Sequence, residues 1–202
     1  MAKKYDPKNH SEPPPGSCAV PHNTNLLLIR HAEVPDGEGP HLAVSGQTRA
    51  QAYTVYFQEL VIGKRKLRYD HLFAAADSVK SHRPRLTITP LAQACNQPIK
   101  ADISDDRYQR LADKILNDPT YDDADILICW HHGKILELAH ALGVRPHSLP
   151  KHAHWPHRWP NHIFGWNLQL RYDAGGLIIP DQTTCFNQRL MHGDHGTDPP
   201  NG

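Results

Sequence analysis

The chain has 202 residues, a formal charge of +1, 39% apolar residues and 21% charged residues, which suit one globular domain with a sizeable core. So balanced a charge offers no global field to draw in nucleic acid or a membrane surface. No run approaches the roughly 18 apolar residues of a membrane span. The four cysteines (Cys18, Cys95, Cys129 and Cys185) lie far apart with no C-x-x-C pair, which argues against a zinc ribbon or a small disulfide scaffold. Cys129 lies in an apolar run and reads as a buried thiol.

Residues 1–23, with Pro13-Pro14-Pro15-Gly16, read as a flexible polar leader. Lys3 and Lys4 are followed by no apolar stretch, so a secretory signal is not expected and the cytoplasm is the expected compartment. Residues 24–195 read as a single folded domain, and 196–202 as a disordered tail. The first strand is expected at 26–30, a short apolar run that ends abruptly in Arg30-His31. Ligands of open α/β sheets bind at that carboxyl edge. A guanidinium offers a planar fork of donors for phosphate oxygens, and an unprotonated imidazole can act as a nucleophile toward phosphorus.

A Gly/Pro/Asp loop over 34–41 precedes a helix from Gly46 to about Leu60, with Ser45 as its expected N-cap. Residues 71–76 predict a second strand. The stretch from Lys80 to Thr87 then opens a helix that accepts Pro84 in its first turn, while Pro90 leaves its middle open. A short strand is expected at 99–103. An amphipathic helix over 105–117 follows, with Tyr108, Leu111, Ala112, Ile115 and Leu116 at helical spacing. Residues 124–130 predict the other strong strand, which runs into His131-His132-Gly133 and a helix over 132–142 stopped by Gly143. A helix start is an anion site on physical grounds. Successive residues leaving a strand face opposite sides, so one of the two histidines is expected to face His31. Residues 164–172 and 176–179 finish the chain as strands. Strands alternating with helices predict a three-layer α/β fold, a mostly parallel central sheet with helices on both faces.

Three motifs carry a resemblance. They are the strand ending Arg30-His31-Ala32-Glu33, the Arg83…Thr87 spacing at a helix start, and Leu127-Ile128-Cys129-Trp130-x-His132 before the last of these helices. Together they resemble the histidine phosphatase superfamily, with its phosphoglycerate-mutase-like fold, over about residues 25–143. The Trp-x-His form looks like one subgroup, and 187–194 is similar to it as well. The resemblance implies His31 as the nucleophile, with Arg30, Arg83 and a protonated His132 neutralising the phosphoryl oxygens. Arg85 is the alternative to Arg83, and His131 the alternative to His132. Val79 stands where many relatives carry serine.

Relatives often take a glutamate after the third strand as general acid; here the candidates are Asp102, Asp105 and Asp106. Glu33, the other nearby carboxylate, is a further candidate acid, though it is expected rather to orient the loop or an arginine. The resemblance implies no metal and no other cofactor. Segment 145–166 holds His147, His152, His154, His157 and His162 but no repeated ligand spacing, and four prolines interrupt it. It reads as a surface insertion or a loop covering the pocket rather than a metal site. The expectation is a phosphatase acting on a small phosphomonoester through a phosphohistidine, with a small phosphorylated substrate as partner and no nucleic acid or membrane. The alternatives are a phosphoglycerate-type mutase, a non-catalytic phospholigand-binding module of the same fold and, more distantly, a histidine-rich metal-binding protein. Oligomeric state has no signature in the chain.

Overall fold

Two apolar runs set the middle of the sheet. Strand β1 (Asn25–Arg30) and strand β6 (Asp125–Trp130) are buried at every position, as expected of strands covered on both faces. They pair in parallel register, Asn25 beside Asp125 through to Arg30 beside Trp130. The computed structural model describes residues 21–37 and 39–200 of the chain. The leader expected at 1–23 lies outside these residues except for 21–23.

The remaining elements, in chain order, are α1 (Val44–Glu59), the small hairpin β2 (Val61–Ile62) and β3 (Arg65–Lys66), β4 (Tyr69–Ala75), α2 (Arg83–Cys95), β5 (Ile99–Ile103), α3 (Tyr108–Leu116), α4 (Ile135–Ala141), β7 (Trp166–Arg171) and β8 (Thr184–Asn187). The main sheet has the order β5-β4-β6-β1-β7-β8. Its first four strands are parallel, and β7 and β8 add on in antiparallel sense. Alternate residues feed two cores. Leu26, Leu28, Ile126, Ile128 and Trp130 pack with Leu111 and Ile115 of α3 and Ile135 and Leu138 of α4. Leu27, Ile29, Leu127 and Cys129 pack on the other face with Tyr53 and Phe57 of α1 and Ile88 and Leu91 of α2. The three-layer fold is the one that the alternating pattern predicts.

Several boundaries differ from expectation, each for a local reason. Helix α1 begins two residues earlier than expected, at Val44: Ala43 rather than Ser45 is its N-cap and makes no side-chain cap bond, its amide donating instead to the Glu33 carbonyl at 3.0 Å. Helix α2 runs through Pro90, because Ile88 and Leu91 on either side are fully buried and tertiary packing outweighs the lost hydrogen bond. Residues Asp105–Arg107 form a 3₁₀ turn rather than the first turn of α3. Residues 176–179 make a single bridge, Tyr172 with Ile178, in place of a strand. The last strand is instead β8, too short and too weakly patterned to stand out. The expected tail is not loose at its start, since Trp166 Nε1 donates to the Thr197 carbonyl at 2.6 Å and Arg189 pairs with Asp198 at 2.9 Å. Among the described residues no helix is long and apolar enough to cross a membrane.

Candidate active site

Strand β1 delivers Arg30 and His31 together to the carboxyl edge of the sheet, and both are 3% exposed. His31 Nδ1 lies 2.8 Å from the Ala32 carbonyl. A carbonyl only accepts, so Nδ1 carries the proton and Nε2 keeps its lone pair. Burial holds the His31 imidazole well below its ordinary pKa, against the pull of the Ala32 carbonyl, and the Arg30, His131 and Arg83 charges lower it further. The ring is neutral at pH 7 and has one free nitrogen, the state that a nucleophile needs.

Arg30 is gripped by the loop after α4. Its Nη1 donates to the carbonyls of Asn161 at 2.6 Å and Ile163 at 2.8 Å, and its guanidinium carbon sits 3.9 Å from the centroid of Phe164. Its Nε is buried without a partner among the described residues. Burial lowers its pKa to about 10, with Glu33 opposing and Arg83 adding to the shift, so it stays cationic at neutral pH. Part of the His/Trp segment therefore holds a site arginine in place. Among the described residues no group of three or more His, Cys, Asp or Glu is arranged to hold a metal ion.

Of the two adjacent histidines, the structure brings His131 and not His132 against His31. The rings of His31 and His131 meet edge to face with centroids 4.9 Å apart. The cause is the parallel register. The His31 amide donates to the Trp130 carbonyl at 3.0 Å, so residue 131 follows directly beside residue 31, and in-register residues of neighbouring strands share a face. The expectation for His132 placed it at a helix start. The helix in fact starts at Ile135, after a turn in which the Lys134 and Ile135 amides donate to the His131 carbonyl. The turn carries His132 to the Arg30 side, where burial lowers its pKa, the Arg30 charge adds to this, and a hydrogen bond with Asn161 opposes it. Burial lowers His131 further, to about 4, with Arg83, His132 and Arg30 contributing.

Arg83 and Arg85 part company at the start of α2. Arg83 Nη1 donates to the Gly39 carbonyl at 2.8 Å, its Nε is buried without a partner among the described residues, and its charge reaches Arg30, His31 and His131. Arg85 lies on the surface, paired with Asp77 at 2.6 Å. Thr87 ties the helix to the site: the Ala32 amide donates to its Oγ1 at 2.9 Å, and that hydroxyl donates to the Arg83 carbonyl at 2.7 Å.

The carboxylates also separate. Asp102 is 3.8 Å from Lys114 at the surface, and Asp106 accepts from Ser104 at 2.6 Å, a bond that lowers its pKa. Asp105 has a buried oxygen, Oδ1, with no partner among the described residues. Burial raises its pKa to about 6, with Lys134 opposing and Asp106 and Glu137 adding to the shift. Its backbone carbonyl accepts from Trp130 Nε1 at 3.3 Å, which sets residue 105 beside the end of β6.

No protein-family model matches the chain, and no curated protein matches it. Solved structures do. A phosphoglycerate mutase from Plasmodium falciparum is 13% identical over 85% of this chain and 94% of its own, with a TM-score of 0.52. The fold is phosphoglycerate-mutase-like. A mycobacterial glucosyl-3-phosphoglycerate phosphatase, solved with inorganic phosphate, is 14% identical over 81% of this chain and 94% of its own, with a TM-score of 0.47.

Within this phosphoglycerate-mutase-like fold, the support behind the site is a feature that the sequence reading missed. Arg49 of α1 is 1% exposed. It donates to Glu33 through Nε at 3.0 Å and Nη2 at 2.7 Å, to Asp194 through Nη2 at 2.7 Å and Nη1 at 3.0 Å, and to Gln188 Oε1 at 3.0 Å. Glu33 thus orients an arginine, as expected of it, and the arginine is Arg49. Gln188 also accepts from Tyr53 at 3.0 Å and donates to Asn167 at 2.9 Å. Two glycines make room: a Cβ at Gly46 would sit 2.6 Å from the Glu33 carbonyl oxygen, and one at Gly165 would sit 2.4 Å from Asp194 Oδ1. Arg49 is a charged residue, but it stands four residues before Tyr53 and eight before Phe57, on the face that α1 buries, so its helical spacing was one signal. Another was the pair Glu33 and Asp194, two acids in motifs already singled out.

Proposed function

We propose that this chain is a histidine-type phosphatase that hydrolyses a small phosphomonoester without a metal. The observation that carries the reading is His31, neutral, with its Nε2 free and its Nδ1 proton held by the Ala32 carbonyl, among Arg30, Arg83 and His131. In the first step Nε2 bonds to phosphorus as the P–O bond to the leaving group breaks. Arg30, Arg83 and His131 stabilise the equatorial oxygens, and Asp105 supplies the proton that the leaving oxygen takes up. In the second step water bonds to phosphorus as the P–Nε2 bond breaks, the ionised Asp105 takes a proton from that water, and phosphate leaves with neutral His31 restored. The test is to mix the protein briefly with labelled substrate and quench in alkali. Acid-labile, alkali-stable label on His31 is expected; label on serine or cysteine, or none during turnover, overturns the proposal.

The proposed arginine and histidine roles each have a control beside them in the chain. Arg83→Ala is expected to lose about 2–4 kcal/mol of transition-state stabilisation, the loss typical of an oxyanion donor. Arg85→Ala breaks only a surface ion pair and should cost less than about 1 kcal/mol. His131→Ala should lower kcat/KM by about 10²–10³-fold, and His132→Ala by much less. The measurement is kcat/KM for all four variants. A larger loss from His132→Ala returns the phosphate contact to that residue.

The acid role of Asp105 gives a pH dependence of fixed sign. The carboxyl must be protonated to act, and its pKa is about 6. Activity toward an alkyl phosphate is therefore present below about pH 6 and falls as pH rises through that value. His31 is already neutral across this range. Asp105→Asn should remove the falling limb and slow an alkyl phosphate by about 10²–10⁴-fold. p-Nitrophenyl phosphate, whose leaving group needs no proton, should be slowed far less. Equal loss on both substrates would take the acid role away from Asp105.

A further inference from the structure

The groups at the sheet edge fall on two sides. His31, His131 and Arg83 stand over the face covered by α1 and α2. Trp130, which holds residue 105, packs in the core on the α3 and α4 side, where Lys134 and Glu137 act on Asp105. In-line transfer sends the leaving group away from the nucleophile, and so toward the α4 side. A cavity of about 570 Å³ opens there, between α4 and the loop through residues 155–161. A larger one, about 700 Å³, borders Arg83 with Val79 and Lys80, at the start of α2 rather than on the α4 side.

The cavity beside α4 has a definite chemistry. Trp155 and Trp159 line it; Trp155 is half-buried, while Trp159 is 5% exposed and donates its Nε1 proton to the Ile163 carbonyl at 2.8 Å. His132, His157 and Arg158 border it, with Glu137 as the one carboxylate in the lining. Aromatic walls take a flat ring face, and an exposed arginine beside them takes an anion. Resting on the phosphatase reading above, we infer that this cavity is a leaving-group subsite for a ring-bearing phosphomonoester with a second anionic group. The ring lies against Trp155, with buried Trp159 behind it as part of the wall, and the second anion meets Arg158 and His157. The His/Trp segment thereby has two tasks: residues 160–164 hold Arg30, and residues 155–159 choose the substrate.

The test compares 4-carboxyphenyl phosphate with phenyl phosphate. The wild type should prefer the carboxylate by about tenfold or more in kcat/KM. In Arg158→Gln that preference should fall toward one, while phenyl phosphate is turned over as before; Trp155→Ala should lower kcat/KM for both. Equal use of the two substrates by the wild type, or an unchanged preference in Arg158→Gln, overturns the subsite. Failure to turn over either substrate counts instead against the phosphatase reading. The subsite is then decided by binding of 4-carboxyphenyl phosphonate, followed through tryptophan fluorescence. Quenching weakened by Arg158→Gln supports it, and quenching that is absent or indifferent to that change rejects it.

Discussion

His31→Ala is expected to abolish turnover, with kcat falling on the order of a million-fold, the scale on which a lost nucleophile is felt elsewhere. No other group takes its place. The neighbouring imidazole of His131 faces the same space, but it follows β6 rather than β1, and it lies beside the ring of His31 rather than where that ring stands. The variant should fold, since the side chain removed makes one local hydrogen bond, to the adjacent residue, and packs at the sheet edge rather than in either core. The measurement pairs a far-ultraviolet circular dichroism spectrum and a melting curve with turnover and phosphoenzyme trapping. A folded, inactive and unlabelled variant is the expected result. A folded variant with wild-type turnover refutes the nucleophile.

Arg49→Ala is expected to be the most damaging change to stability, at about 3–5 kcal/mol, because it strands charge that is already buried. Asp194 is 2% exposed and loses two charge-assisted bonds, and Glu33 loses the pair that holds it. Arg49→Lys should recover little, since a single ammonium cannot span two carboxylates and an amide in one plane. Urea unfolding of the three proteins measures the difference, and a loss below about 1 kcal/mol would show the network to be incidental. The network also has a pH signature. Burial alone would raise the Asp194 pKa, but Arg49 and the Met191 and Leu190 amides lower it overall. A lowered folded-state pKa contributes stability above the ordinary carboxylate value, and that contribution is lost as pH falls through the lowered value. Arg49→Ala should flatten the acid limb.

The legible parts of this molecule are those in which one residue type had few ways to be satisfied. The runs 26–29 and 126–130 are apolar at successive positions, and a strand buried on both faces accommodates that. The Arg-His ending of β1 then had to reach the carboxyl edge. The antiparallel end of the sheet was harder to read: β8 is four residues long with one buried side chain, Cys185, and pattern alone does not separate it from a loop. The pair His131-His132 shows a different limit. Local alternation says that the two diverge, but which one faces His31 depends on how β1 and β6 are paired, a relation between residues one hundred apart. Asp105 was likewise one of three acids until burial separated it from Asp102 and Asp106.

The bonds from Arg49 to Asp194 join residues 145 positions apart, and they bear on when the protein can begin to work. Glu33 is made two residues after the proposed nucleophile, yet the arginine that holds it is completed by Asp194, beyond every α-helix and strand of both cores. A nascent chain lacking its last few turns has the nucleophile and both cores' main helices but not the closing partner of Arg49. Removing residues from 187 onward should thus leave a protein with most of its secondary structure and a poorly held catalytic loop. Protease cleavage just before Asp194 is expected to loosen the proposed site before it unfolds the domain.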